Sequence, residues 1–207
     1  VADLCDVLLM PMSGAEGDWF LRYGYRQRFD HKSEHANAGY YKVRLEGTPL
    51  GAPKSFATSK KPVISDSGKD HIDVELTASA RVGVHRYTFV PGSRAHVVLD
   101  LFHRDELIQG NISKVSSTEV VGERRSSSWA KDQHLFYCIQ FSEPIIEKPV
   151  MPSSVVGRFA AYDLGELDRP LIVKVGISAV SIEGARANIE GEVPHWDFDL
   201  VRKQAED

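Results

Sequence analysis

Two cysteines in 207 residues, Cys5 and Cys138, are too few for a disulfide scaffold. They allow one bridge or two buried thiols, and spacing alone does not choose. Basic residues are not in excess. Lys+Arg 25 against Asp+Glu 29 leaves a formal net charge of −4, which argues against a general nucleic-acid binder working through a basic face. No apolar run approaches the roughly 20 residues of a membrane-spanning helix. Aromatic residues are 9% with only three tryptophans, so a stacking platform is not obvious. Gly-rich phosphate loops are absent, and Ser126-Ser127-Ser128 lacks a Gly-x-Ser-x-Gly elbow.

What is present is a core. Apolar residues are 42% of the chain, normal for a globular protein. A chain of this length makes one ordinary domain, or two very small ones, and buries roughly 70% of its unfolded surface. The hydrophobic period is mostly two. Ile72, Val74 and Leu76 alternate, as do Val97, Leu99 and Leu101. Leu135, Tyr137, Ile139 and Phe141 share a face opposite Phe136 and Cys138, and Leu171, Val173, Val175 and Ile177 face away from Lys174. Such alternation marks strands with one face buried. Tyr40, Val43 and Leu45, and Phe159, Ala161 and Leu164, fit less cleanly. Pro91-Gly92-Ser93 reads as the turn of a hairpin. Strands recurring every 10–15 residues predict an all-β fold, an antiparallel β-sandwich over residues 1–180.

Two segments break the period. Residues 48–69 hold Pro49, Pro53 and Pro62 among serines and lysines, and predict a long polar surface loop. Residues 181–207 predict helices. Ser181 caps the first, with Glu183 in its first turn; Pro194 ends it, and Asp197 caps the second along Phe198, Leu200, Val201 and Ala205. Strands first and helices last read as a β domain with a helical linker towards a partner domain. The chain opens almost at once into Val7-Leu8-Leu9-Met10 with no leader-like order, and stops without a helix stop signal. Both ends therefore read as cut from a longer protein.

Single motifs carry little. His31-Lys32-Ser33-Glu34-His35 has the H-x-x-E-H order of a zinc hydrolase. That chemistry needs both histidines on one face of a long helix, and Asn37 and Gly39 follow at once. Asp163, Glu166 and Asp168 could pair as glycosidase acids or form a solvated turn. His103-Arg104-Asp105 resembles a kinase loop, but Gln109 stands where the loop's Asn belongs, so a polar turn with Arg104 paired to an acid is expected. Asn111-Ile112-Ser113 is a glycosylation sequon.

Several strings in order say more. They are Phe29-Asp30-His31 with Glu34, then Ala38-Gly39-Tyr40-Tyr41-Lys42-Val43; Glu75-Leu76-Thr77-Ala78 running into Arg81-Val82-Gly83-Val84-His85-Arg86-Tyr87-Thr88-Phe89; and Leu99-Asp100-Leu101 with His103-Arg104-Asp105. Ser128-Trp129-Ala130 with Gln133 and Phe136 follows. The tail runs Lys174-Val175-Gly176-Ile177-Ser178, Glu183-Gly184-Ala185-Arg186-Ala187-Asn188 and Trp196-Asp197-Phe198-Asp199. Over nearly its whole length the chain resembles the N-terminal domain of glycoside hydrolase family 92, the calcium-dependent exo-acting α-mannosidases. The 48–69 segment departs from that pattern, which has a short hairpin there.

The resemblance implies a supersandwich-type β domain beside a C-terminal (α/α)6 barrel, with the active site between them. It implies an inverting mechanism, whose two carboxylates stand far enough apart to admit a water. The acid, the base and the calcium ligands come chiefly from the barrel, so no catalytic or metal-binding residue is expected in this chain. The resemblance further implies partners in that barrel and in mannose-containing glycans, as in N-glycan processing, and a place outside the cytoplasm, extracellular or periplasmic. Asp3 and Asp6 are the expected neighbours of the sugar pocket, followed by His31 and Glu34. Arg186, Asn188, Trp196 and Asp197 are expected at the domain interface, with Trp196 leaving an apolar patch. A lectin-like sandwich that binds glycans alone is the alternative.

Overall fold

Strand alternation decides the architecture, because each strand with one apolar face must cover it. The computed structural model describes residues 6–14, 24–49, 71–146 and 158–207. Among them lie β1 (Leu8–Ser13), β2 (Gln27–Phe29), β3 (His35–Asn37), β4 (Tyr40–Pro49), β5 (Ile72–Ala78) and β6 (Val82–Phe89). There follow β7 (Arg94–Asp100), β8 (Glu106–Lys114), β9 (Glu119–Ser127), β10 (Gln133–Phe141), β11 (Phe159–Glu166) and β12 (Leu171–Ser178). The helices α1 (Ile182–Glu192) and α2 (Phe198–Glu206) come last. One sheet has the order β1-β7-β11. The other has nine strands, β2-β4-β5-β6-β12-β10-β9-β8 with β3 beside β4, and all pairings are antiparallel. The expected all-β antiparallel class with C-terminal helices is what the chain adopts. No helix among the described residues is long and apolar enough to cross a membrane.

The two sheets share one core. Val43, Val74, Tyr87, Tyr137, Ile139, Leu171 and Val173 of the large sheet meet Val97, Leu99, Ala160 and Tyr162 of the small one, all buried. The opposite face of the large sheet is also covered. Tyr40, Val82, Val84, Val121 and Cys138 pack under Ala185, Ile189, Phe198 and Val201 of the helices. A third cluster, Met12, Tyr25, Val98, Phe159 and Ala161, lies on the far face of the small sheet. Strands β7 and β11 are thus buried on both faces. That explains why Phe159, Ala161 and Leu164 fit the period poorly: Phe159 and Ala161 face outward to Tyr25, while Leu164 faces the shared core across an irregular register at Asp163 and Gly165.

The Pro91-Gly92 turn is real, with Gly92 at φ +80°, a conformation glycine adopts without strain. It does not close a hairpin, however. β6 belongs to the large sheet and β7 to the small one, so the turn carries the chain from one layer to the other. In the 48–69 segment, residues 48 and 49 end β4, and the rest lies outside the described residues.

Both helix caps form as the sequence predicts. The Ser181 hydroxyl accepts from the Gly184 amide at 3.0 Å, and the Asp197 carboxylate accepts from the Leu200 amide at 3.0 Å. α1 crosses β12 closely at Gly176, where a Cβ would stand 2.4 Å from the Ala185 carbonyl oxygen. α2 is held by Arg86, which donates to Glu75 at 2.8 Å and to Asp199 at 2.9 Å and lies over the Phe198 ring. Cys138 is a buried free thiol whose pKa burial pushes up to about 12; Cys5 lies outside the described residues.

Lys174 is the odd member of this layer. It is buried under α1, donates to the Val193 carbonyl at 3.2 Å and sits 4.0 Å from the centre of the Trp196 ring. Loss of water lowers its pKa below the ordinary 10.5. Between the lowered value and 10.5 the unfolded chain binds more protons than the native one, so stability contributed here rises with pH. The stability of wild type relative to Lys174→Met is therefore expected to increase from pH 7 to pH 10 in urea melts. A difference that stays flat over that range would contradict the burial of a charged amine.

Candidate functional site

One end of the molecule gathers the chain's most unusual polar chemistry. There β1 begins beside the end of β7, β8 begins beside the end of β9, and β10 begins beside the end of β12. Arg124 of β9 points into this end and is fully buried. Its Nε donates to the Leu101 carbonyl at 3.0 Å, and Nη1 donates to Asp6 and, at 2.8 Å, to Ser126 Oγ. Nη2 donates to the Arg104 carbonyl. Asp6 is buried too, and its second oxygen accepts from Gln133 Nε2 at 2.6 Å. A buried guanidinium is tolerable only when its donors are met and its charge is paired; here both conditions hold.

Asp100 extends the network. It accepts from the Tyr25 hydroxyl at 2.5 Å and from the Phe102 amide at 2.6 Å, while His103 Nδ1 lies 2.9 Å from the Asp100 carbonyl oxygen. Arg104 pairs with Asp105, which sits at φ 56°. The His103-Arg104-Asp105 triplet is thus a tied-down polar turn, as the sequence suggested.

Beside this network opens a cleft of about 230 Å³ lined by Val7, Ser79, His85, Leu135, Val175 and Ile177, among others. His85 Nδ1 is 2.6 Å from the Tyr87 hydroxyl, and burial holds its pKa down to about 4, so the ring is neutral. At the rim, Ser79 donates to Glu192 at 2.6 Å and Arg81 Nε donates to it at 2.6 Å. Trp129 stands at the tip of the β9–β10 turn, 84% exposed.

The other expected site residues lie elsewhere. Asp3 is outside the described residues. His31 and Glu34 contact each other on a one-turn 3-10 segment (His31–Ser33) preceding β3, and Glu34 accepts from the Tyr41 hydroxyl at 2.5 Å. Those bonds, Tyr41 first and His31 second, lower the Glu34 pKa. His35 already belongs to β3, so the two histidines do not share a helix face. Five strand spacings, about 24 Å, separate β4 beside this pair from β9, so Asp6 and the His31–Glu34 pair do not meet. Asp163 is buried at the far end of β11. Burial raises its pKa, but Arg94, donating at 2.9 Å, and the Gly165 amide outweigh that and lower it. Glu166 and Asp168 do not share its place: Glu166 is exposed, with Arg94 as its register partner. The sequon residue Asn111 is exposed on β8.

Arg186 donates to Glu119 at 2.8 Å and Asn188 to the Ile177 carbonyl at 2.8 Å, both fastening α1 to the large sheet. Asp197 caps α2, and Trp196, 42% exposed, lies against Lys174. Arg124, Gln133, Lys174 and the His85–Tyr87 pair were not anticipated from sequence. One signal was available: the alternation Val120, Gly122, Arg124, Ser126 places Arg124 on the inward face of β9. Among the described residues no three His, Cys, Asp or Glu side chains converge.

Comparison with known proteins follows the same lines. Residues 1–178 match the family model described as the glycosyl hydrolase family 92 N-terminal domain. Among solved structures, a GH92 family glycosyl hydrolase, CcMan5, superposes with TM-score 0.72 at 22% identity, over 97% of this chain and 27% of its own. A family GH92 α-mannosidase from Bacteroides thetaiotaomicron superposes with TM-score 0.71 at 22% identity, over 98% of this chain and 28% of its own. A family GH92 inverting mannosidase from Bacteroides thetaiotaomicron VPI-5482 gives TM-score 0.68 at 18% identity, over 96% and 25%. At these identities the superpositions speak for the fold. This chain spans about a quarter of the length of those structures. No curated protein matches the sequence.

Proposed function

Since this chain belongs to glycosyl hydrolase family 92, as its N-terminal domain, we propose that it is the β domain of an exo-acting, inverting α-mannosidase whose reacting carboxylates and calcium ligands lie in a further helical domain. The family match over residues 1–178 carries this reading. The acids of the described residues support it, because the buried ones are already engaged: Asp6 with Arg124, Glu75 with Arg86, Asp163 with Arg94, and Asp100 with the Tyr25 hydroxyl and the Phe102 amide. None is left as a pair flanking a water-sized gap, which inversion requires. The substrate is a mannose-terminated glycan met outside the cytoplasm. Asp6 serves the sugar pocket indirectly, by fixing the chain that enters at β1.

The longer polypeptide is expected to release mannose from an α-mannoside with β-mannose as first product by NMR, to lose activity with a chelator and to regain it with calcium. This chain alone is expected to show no turnover. Turnover by residues 1–207 would end the division of labour, and failure of the longer polypeptide to cleave any α-mannoside would end the mannosidase reading. A second reading, a stand-alone glycan binder, is favoured by the exposed indole of Trp129, since aromatic faces stack on sugars. Titration calorimetry of this chain with mannose and mannobiose separates the two: millimolar or tighter binding supports the lectin.

A further inference from the structure

Of the three asparagines in the chain, Asn37, Asn111 and Asn188, only Asn111 has a hydroxyl residue two places on, in Asn111-Ile112-Ser113. Its strand, β8, is an edge of the large sheet and pairs with β9 alone. Gly110 and Ile112 turn towards the shared core. A Cβ on Gly110 would stand 3.3 Å from the Leu101 side chain, and Ile112 packs on the core cluster. Asn111 and Ser113 therefore project from the opposite face, where α1 lies over β12 and β10 instead. Both residues are exposed. Ser113 Oγ donates to Asn111 Oδ1 at 3.3 Å, and the Asn111 amide nitrogen has no partner among the described residues. Asn188, by contrast, spends its amide on the Ile177 carbonyl at 2.8 Å.

A branched oligosaccharide is bulky and fully solvated, so a folded chain carries one only where the asparagine amide points into open water. Asn111 meets that condition from a fixed base, since its own carbonyl accepts from the buried Tyr137 hydroxyl at 2.8 Å. The position also answers a need of the fold. β8 is nine residues long, and a long exposed edge is a template for pairing with another chain. Its ends are guarded: the register shifts between Leu107 and Gln109, and Glu106 and Lys114 bring charge. The middle, residues 110–112, has neither a bulge nor a charge, and Ile108 beside it is 44% exposed. Asn111 stands at the centre of that unguarded stretch.

We propose that Asn111 is the acceptor of an N-linked oligosaccharide, and that the sugar shields the free middle of β8 from strand pairing. The inference rests on the reading of this chain as part of an enzyme that works outside the cytoplasm. In the transfer, Asn111 Nδ2 attacks the anomeric carbon of an oligosaccharide carried on a polyprenyl diphosphate. A C–N bond forms and the C–O bond to the diphosphate breaks. The polyprenyl diphosphate leaves with the electron pair, and the amide gives up one proton. Ser113 supplies the hydroxyl that the transferring enzyme requires. Once β8 is tied to β9 the triplet is locked in an extended strand, so transfer precedes the folding of this edge.

The longer polypeptide, secreted from yeast behind an added leader, tests the assignment by peptide mapping with and without an amidase that removes N-linked glycans. Most copies of the Asn111 peptide are expected to carry sugar and, after the amidase, to read as aspartate at that position. Ser113→Ala should abolish the signal, and Ser113→Thr should keep it. Asn111→Gln leaves the fold intact, because the side chain bonds only to Ser113, and should raise the aggregated fraction severalfold in light scattering, with β8 gaining amide protection in the aggregate. A secreted, folded polypeptide with Asn111 bare would overturn the proposal. Equal aggregation by wild type and Asn111→Gln would overturn the shielding role, as would a sugar-bearing wild type that still pairs through β8 as a dimer. Fractionation of eukaryotic cells that carry the complete gene without an added leader tests export separately: retention in the cytoplasm removes that reading and leaves the acceptor site standing.

Discussion

Arg124→Met is expected to lower the stability of the protein by about 3–5 kcal/mol, the range for removing one partner of a buried ion pair. Methionine fills much of the arginine stem's volume, so cavity formation is a minor part of the loss. The larger part comes from what is left behind: a buried Asp6 carboxylate with only Gln133 to meet it, and the Leu101 and Arg104 carbonyls without their guanidinium donor. Each stranded acceptor costs about 1–3 kcal/mol. The comparison that isolates burial is Arg125→Ala, one residue along the same strand. Its pair with Asp132 is short but exposed, at 41% and 51%, and exposed pairs are worth about 0–1 kcal/mol. Urea melts of the two variants, with wild type alongside, decide the matter. Should Arg124→Met cost no more than Arg125→Ala, the network is not holding this end together. Amide exchange adds a local readout: the start of β1 and the Phe102–Asp105 turn should open first, because Arg124 ties both to β9.

Where local chemistry decided the structure, the sequence was readable. Ser181 and Asp197 cap helices because a short oxygen-bearing side chain just before an apolar stripe has few better uses. Tyr137 and Cys138 face opposite layers because a strand's period is two. Reading failed where the third dimension decided. Nothing in Val82–Phe89, Pro91-Gly92 and Arg94–Asp100 tells a hairpin from a crossover between sheets, since both need the same turn. Strand β11 hides its period because both its faces are buried, so alternation carries little signal there. The His31–His35 string is refused a long helix on the strength of Asn37 and Gly39, and its fold is one 3-10 turn and a strand. Arg124, by contrast, was passed over. An arginine in a strand is usually a solvated edge residue, and only the inward position it shares with Val120 and Gly122 reveals it. Asp6 was chosen for its place in the sequence. Its partner lies 118 residues away, a distance no local pattern spans.

Gly122→Ala is the second substitution with a large expected effect, and its cause is space rather than backbone freedom. Tyr137 of β10 passes beneath Gly122 of β9 so that its hydroxyl can donate to the Asn111 carbonyl of β8 at 2.8 Å. A Cβ on Gly122 would stand 1.9 Å from that carbonyl oxygen and 2.4 Å from the tyrosine hydroxyl. The tyrosine is fully buried and cannot step aside, and the carbonyl belongs to the β8–β9 ladder. Overpacking costs typically about 1–3 kcal/mol, and loss of the buried hydrogen bond adds about 1 kcal/mol or more. Reduced chain entropy in the unfolded state returns at most about 1 kcal/mol, so a net loss of about 1–3 kcal/mol is expected. Tyr137→Phe alone should cost about 1 kcal/mol, the worth of one hydrogen bond. In the Gly122→Ala background it should restore less than half of the loss, because the closer clash, with the carbonyl, remains. The cycle therefore separates the two contacts. Amide exchange should show β8 released from β9 while β4, β5 and β6 keep their protection, since those strands lie across the sheet from the insult. A Gly122→Ala protein that melts within about 0.5 kcal/mol of wild type, with β8 still protected, would mean that Tyr137 does not run under β9 to the edge strand at all.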